Sequence, residues 1–220
     1  MQELIRVAVD GPSGAGKSTI AKLVAKELGL DYIDTGAMYR ACGYKMLQEG
    51  IEASSSDALK EMLGHTDIDF SGGSIFLDGV NVDGKIRTPE VTMMASACSA
   101  LPEVRAKLVE LQREIGSRKS VIMDGRDIGT NVLTDAEFKF FLTASAEERA
   151  KRRYGEMKEK GMDVTYEDVL SDINKRDYDD SHRKIDPLKK ANDAEEVDTT
   201  FMSIEQVRDH LLDRIRSSAL

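Results

Sequence analysis

Positive charge is in the minority in this chain. Its 220 residues carry 31 lysines and arginines against 40 aspartates and glutamates, a formal net charge of −9. A surface of that sign argues against a nucleic-acid partner, because non-specific binding to phosphate backbones needs a basic excess. Cysteine is scarce too. Cys42 and Cys98 lie far apart with no metal-ligand spacing, which excludes a disulfide scaffold and makes two reduced thiols the expectation. The three histidines, His65, His182 and His210, form no cluster, so no structural metal site is expected. No apolar run reaches membrane-spanning length. Met1-Gln2-Glu3 lacks the basic stretch and apolar core of an export signal, so a cytoplasmic protein without a membrane partner is expected. What is present, 40% hydrophobic and 32% charged residues, suits a soluble globular protein. The length allows one well-buried α/β core with an excursion or two, and is too short for two large domains.

The most informative stretch is Gly11-Pro12-Ser13-Gly14-Ala15-Gly16-Lys17-Ser18, followed by Thr19. It matches the phosphate-binding pattern G-x-x-x-x-G-K-[ST] at every fixed position. Its context is also right. Leu4-Ile5-Arg6-Val7-Ala8-Val9 reads as a buried strand ending at Asp10, while Ile20, Leu23, Val24 and Leu28 recur at helical spacing up to Gly29. The glycines let backbone N–H groups turn inward around phosphate oxygens, and the helix N-terminus adds the positive end of its dipole. In such a loop Lys17 reaches the β- and γ-phosphates and the Ser18 hydroxyl can ligate Mg²⁺ carried by ATP. The expectation is nucleoside triphosphate binding by residues 11–19.

The chain then alternates in an α/β manner. Asp31–Asp34 reads as a second strand, and Met38, Tyr39, Cys42 and Met46 mark the helix after it. A Ser-rich loop leads to a short helix through Leu63. Around residues 68–82 short strands separated by Gly72-Gly73 and Asp78-Gly79 predict an antiparallel meander, an insertion in a parallel pattern. Two helices follow between Pro89 and Arg118, broken near Leu101-Pro102. Ser120–Met123 and Phe138–Leu142 are buried-strand runs ending in polar residues, where open parallel sheets present ligand groups. Charged helices are expected from Ala146 to about Lys160 and from Thr165. A last strand near Val197 and a capped amphipathic helix with Ile204, Val207, Leu211, Leu212 and Ile215 on one face complete the chain.

In an acidic protein that handles phosphates, the arginines are the candidates for charge neutralisation. Phosphoryl transfer asks a protein mainly for positioning and electrostatics, so a transferase needs the loop for its donor and an arginine-lined site for an anionic acceptor. Arg40 follows the second strand, and Arg126 ends a later one. Arg149, Arg152 and Arg153 share a helix face at i, i+3, i+4 spacing, and Arg176 and Arg183 flank an acidic stretch. An ordinary surface role is strongest for Arg152, which has Glu148 and Glu156 four residues away on either side.

Three segments carry a more specific signal: Asp34-Thr35-Gly36-Ala37-Met38-Tyr39-Arg40, Asp124-Gly125-Arg126-Asp127-Ile128-Gly129-Thr130, and Arg176-Asp177-Tyr178-Asp179-Asp180-Ser181-His182-Arg183. In order and spacing they resemble the bacterial cytidylate kinases, and with the phosphate loop, the meander and Asp198-Thr199-Thr200 the resemblance covers essentially the whole chain. It implies an α/β P-loop nucleoside monophosphate kinase fold, with a five-stranded parallel core, an acceptor-binding insertion and a helical lid. On that pattern the core would be 1–34, 100–148 and 177–220. The CMP-binding domain would be 35–99, with its small antiparallel insertion near 65–85, and the lid 149–176. The implied substrates are ATP, with Mg²⁺, and CMP or dCMP, handled by a monomer. Arg40 and Arg126 would grip the acceptor phosphate. Ser96, Arg105, Asp127 and Arg183 would surround the cytosine, and Thr35, Arg176 and Asp180 would face the sugar, with Arg176 orienting Asp180. Arg149, Arg152 and Arg153 would close over the transferring phosphoryl, whose charge Lys17, Arg126 and Arg153 would meet. The chemistry at Asp127 agrees: a carboxylate accepts from the 4-amino group of cytosine and repels the O4 of uracil.

Two other readings compete. Asn174-Lys175-Arg176-Asp177 is a literal N-K-x-D, the guanine-reading motif of GTPase switches. That motif follows a hydrophobic strand, whereas Val169, Leu170 and Ile173 show helical spacing, so the match is read as accidental. A kinase for UMP, AMP or dephospho-coenzyme A would share fold and arginines, and only the acceptor pocket separates it from a CMP kinase.

Overall fold

The computed structural model describes residues 4–218, so the export-signal expectation at Met1-Gln2-Glu3 lies outside the described residues. Five strands form a parallel sheet in the order β2-β6-β1-β7-β8: β1 is Arg6–Asp10, β2 Asp31–Asp34, β6 Val121–Asp124, β7 Phe138–Thr143 and β8 Glu195–Asp198. A second sheet is an antiparallel meander of β3 (Ile68–Ser71), β4 (Ser74–Leu77) and β5 (Val80–Asn81). The helices are α1 (Lys17–Leu28), α2 (Thr35–Glu49), α3 (Asp57–Gly64), α4 (Pro89–Cys98), α5 (Pro102–Arg118), α6 (Ala146–Glu159), α7 (Tyr166–His182) and α8 (Ile204–Ser218). The expected elements are thus present. Among the described residues no helix is long and apolar enough to cross a membrane.

The chain divides into two compact units. One runs up to Leu30 and resumes at Ile122. Its β1 residues Val7, Ala8 and Val9 are fully buried, as the β-branched run predicts, and Phe140, Leu142 and Val197 continue that layer. α8 packs on α1 and buries Val207, Leu211, Leu212 and Ile215, but Ile204 is half exposed and leaves the predicted face. The reason is its place at the first position of the helix, just after the cap. There Ser203 N–H donates to Gln206 Oε1 (2.8 Å) and Gln206 N–H to Ser203 Oγ (3.2 Å), the expected capping box. α6 and α7 pack on each other around Ala150, Val169 and Ile173, sealed by the edge-to-face pair Tyr154–Tyr166.

The other unit is Asp31–Val121. α2 and α4 approach so closely that a Cβ on Gly43 would lie 2.9 Å from Ala95 N, and the free thiols Cys42 and Cys98 are buried in this unit. In the meander Ser71 pairs with Ser74 across Gly72 and Gly73, both at positive φ, the two-residue turn whose twist suits a hairpin. The second turn puts Asp78 itself at φ 50°, and its carboxylate accepts from Lys45 Nζ at 2.6 Å.

Candidate active site

β1 delivers the chain to the loop at the C-terminal edge of the sheet. At that exit Gly11 has φ 143°, and a Cβ there would meet Leu142 O at 2.0 Å. Only glycine lets the turn begin against β7. From the first turn of α1, Lys17 folds back over the loop and donates from Nζ to Gly11 O and Pro12 O, both at 2.7 Å. Burial, reinforced by the nearby Arg126 cation, lowers the lysine to about 7, against the pull of Asp124, Asp10 and Asp180. The Ser18 hydroxyl donates to Asp124 Oδ2 at 2.5 Å. A hydroxyl and a carboxylate side by side are hard oxygen ligands that suit Mg²⁺, which takes most of its coordination from nucleotide phosphates and water. Among the described residues no three His, Cys, Asp or Glu side chains gather to hold an ion unaided.

Two acidic residues in this floor were not singled out in the sequence. Asp124 is one. Asp10 is the other: it is buried, and its two oxygens accept from Ile128 N–H (2.8 Å) and Gly129 N–H (2.7 Å). Burial raises its carboxyl to about 6 in spite of those bonds. They anchor a π-helical turn, Ile128–Val132, that the sequence reading did not anticipate and that fixes the segment right after Arg126-Asp127.

The same unit holds a network around those two residues. Arg126 Nε donates to Asp180 Oδ2 at 2.7 Å, and Arg183 Nη2 to Asp127 Oδ1 at 3.1 Å. Asn131 also donates to Asp127. The structure therefore brings together Arg126, Asp127, Asp180 and Arg183 as a set. Asp180 is held by Arg126, while Arg176, which the resemblance implies would orient it, is near enough for its charge to act. Arg176 makes no ion pair among the described residues, and burial followed by the repulsion of Arg153 lowers its pKa. The three arginines of α6 part company. Arg149 is buried and fully engaged, with Ala144 O, Ser13 O and Asp177 as acceptors. Arg152 donates to Thr199 O at 2.7 Å and pairs with Glu148, the local partner expected from the sequence. Arg153 has no ion pair among the described residues. Asn174-Lys175-Arg176-Asp177 lies inside helix α7, which removes the GTPase motif's required setting.

In the Asp31–Val121 unit, Asp34 caps α2 by accepting from Ala37 N–H at 2.8 Å. Its other oxygen accepts from Arg40 (3.0 Å) and from Arg87 (3.4 Å), a residue with no mark in its local sequence. Thr35 is buried at the start of α2, and Ser96 is exposed on α4. Arg105, on α5, is buried with its guanidinium 5.9 Å from the Tyr39 ring centroid.

A phosphate-binding loop at the carboxyl edge of a parallel sheet, with a buried lysine and arginines gathered in the same unit, defines a P-loop phosphotransferase. The fold alone is shared with solved shikimate kinases. That from Acinetobacter baumannii matches at TM-score 0.50 and 17% identity, covering 100% of this chain and 97% of that one. That from Bacteroides thetaiotaomicron matches at TM-score 0.50 and 10% identity, with 99% of each covered. Sequence narrows the class: the Cytidylate kinase family model matches residues 7–217, and the chain belongs to the cytidylate kinase family. It is 52% identical to a cytidylate kinase of Clostridium perfringens over 93% of this chain and 94% of that protein. It is 51% identical to those of Caldanaerobacter subterraneus (97% and 96%) and Clostridioides difficile (95% and 97%).

Proposed function

We propose that this chain transfers the γ-phosphoryl of ATP to CMP, and to dCMP, giving CDP or dCDP and ADP. The observation that carries the reading is the set Arg126, Asp127, Asp180 and Arg183, joined by ion pairs in the unit that also holds Lys17. Arg126 and Asp127 belong to Asp124–Thr130, and Asp180 and Arg183 to Arg176–Arg183, two of the three segments that carry the resemblance.

The chemistry needs no protein nucleophile. An oxygen of the acceptor's own phosphate attacks the γ-phosphorus in line as the bond to the β,γ-bridging oxygen breaks. Residues 11–19 cradle the donor, and Lys17, released from Gly11 O and Pro12 O, follows the transferring charge. Ser18, with Asp124 beside it, would hold Mg²⁺ carried by the triphosphate, and the ion would supply charge neutralisation there. Arg40 and Arg126 bind the acceptor phosphate, while Arg153 and Arg176, which make no ion pair among the described residues, meet the phosphoryl group. Asp127, aimed by Arg183 and Asn131, accepts from the cytosine 4-amino group, with Ser96 and Arg105 completing the base site. Thr35 and Asp180 take the sugar. In domain terms 35–99 is the acceptor-binding part, 149–176 the lid and the remainder the core. The enzyme is a cytoplasmic monomer of pyrimidine nucleotide metabolism with no nucleic-acid or membrane partner.

The test is to incubate the protein with Mg-ATP and each nucleoside monophosphate in turn and follow ADP. Turnover confined to CMP and dCMP supports the reading. Preferred turnover of UMP or AMP, or nucleotide hydrolysis with no acceptor, overturns it.

A further inference from the structure

Arg149 is too deeply engaged for a group that only closes over a phosphoryl. Its side chain is 5% exposed, and all three of its nitrogens are committed: Nε to Ala144 O (2.9 Å), Nη1 to Ser13 O (2.9 Å), Nη2 to Asp177 Oδ2 (2.6 Å). Its Cβ also sits 3.2 Å from where a side chain on Gly14 would begin. Arg149 therefore grips the Ser13-Gly14 turn of the phosphate loop through a hydrogen bond, and its side chain fills the space a larger residue at Gly14 would need. At its other end is a single carboxylate whose second oxygen, Asp177 Oδ1, is buried and has no hydrogen-bond partner among the described residues. That charge is balanced by Arg149, so the two side chains are strongly dependent on each other.

Asp177 is flanked on α7 by Arg176, and Asp180, one turn further on, is the residue Arg126 holds. Residues three apart share a helix face, so Asp177 and Asp180 shift together when α7 moves. The chain of contacts runs Arg126–Asp180 on α7, Asp177 on the same helix, Arg149, then Ser13 O in the donor loop. We infer that Asp177 and Arg149 are positioning residues that tie the geometry of the phosphate loop to the acceptor-bearing helix α7, making ATP and CMP affinity interdependent. The inference rests on the proposed assignment of donor to the loop and acceptor to Arg126 and Asp180. A planar guanidinium is required, because one ammonium cannot reach Ser13 O, Ala144 O and Asp177 along three fixed directions.

The experiment measures the affinity of a non-hydrolysable ATP analogue by calorimetry, with and without saturating CMP, in the wild type, Asp177→Asn and Arg149→Lys. In the wild type CMP should shift analogue affinity by a factor in the range of about 5–150, the usual size of coupling between two sites. Both variants should bring the factor below about 2, and by reciprocity the analogue's effect on CMP affinity should fall equally. A plain structural staple would lower the melting temperature and leave the factor alone. A wild-type factor of one, or an unchanged factor in Asp177→Asn, overturns the inference. Asp177→Asn is nearly isosteric and at a partly exposed position, so it decides the matter if Arg149→Lys folds poorly. A wild type that does not phosphorylate CMP at all is a separate result, and sinks the functional reading instead.

Discussion

Lys17 and Asp10 lie in the same buried floor and titrate in opposite senses. The lysine's folded pKa of about 7 lies below its unfolded value of 10.5, so between these the unfolded chain binds the proton more tightly and stability rises with pH. The penalty for its charge is present in full below pH 7. Asp10, raised from 3.8 to about 6, contributes stability that is present below 3.8 and is lost as pH rises through 6. Urea unfolding of the nucleotide-free protein should therefore show a midpoint that climbs from pH 7 to 9, and Lys17→Met should flatten that climb. For catalysis, Lys17→Ala removes a cation from a dehydrated site and should lower kcat/KM by about 3–4 kcal/mol, the scale of a lost transition-state donor, with the fold retained. Asp127→Ala should narrow the CMP-over-UMP preference by about 1–3 kcal/mol, while Arg126→Ala should weaken both acceptors alike, read from kcat/KM for each. Asp180→Ala should harm dCMP at least as much as CMP if the carboxylate takes the 3′-hydroxyl, which steady-state kinetics on the two acceptors check.

At the scale of elements, the junctions around the sheet's carboxyl edge hold the site. Asp10 at the end of β1 anchors the π-helical turn, and Asp10→Ala would leave two buried N–H groups without acceptors. That should cost about 2–5 kcal/mol, seen as a lowered denaturation midpoint. Most of these elements were legible. Alternating and β-branched runs marked the strands, and Ser203-Ile204-Glu205-Gln206 announced the cap of α8. The π-helical turn was not, because Ile128-Gly129-Thr130-Asn131-Val132 has no pattern of its own and is shaped by a carboxylate 118 residues earlier in the chain. Periodicity also puts Arg149, Arg152 and Arg153 on one helix, yet it cannot say that the first is buried, the second satisfied locally and the third without an ion pair among the described residues. Those differences arise from Ser13, Asp177 and Thr199, which are distant in sequence.

For the molecule as a whole, the fold class and the donor loop could be read from residues 4–29 together with the α/β alternation. The acceptor half is implied only by the resemblance of whole segments, since Ser96 and Arg105 carry no local mark. Asp124 escaped notice for a related reason: its value lies in facing Ser18, 106 residues away. The central claim is transfer from ATP to CMP, and separating the nucleotides after reaction with Mg-ATP and CMP tests it most directly. CDP and ADP should accumulate in equal amounts, and Lys17→Ala should abolish nearly all of both. ADP appearing without CDP, or CDP formed at the same rate by Lys17→Ala, would contradict it.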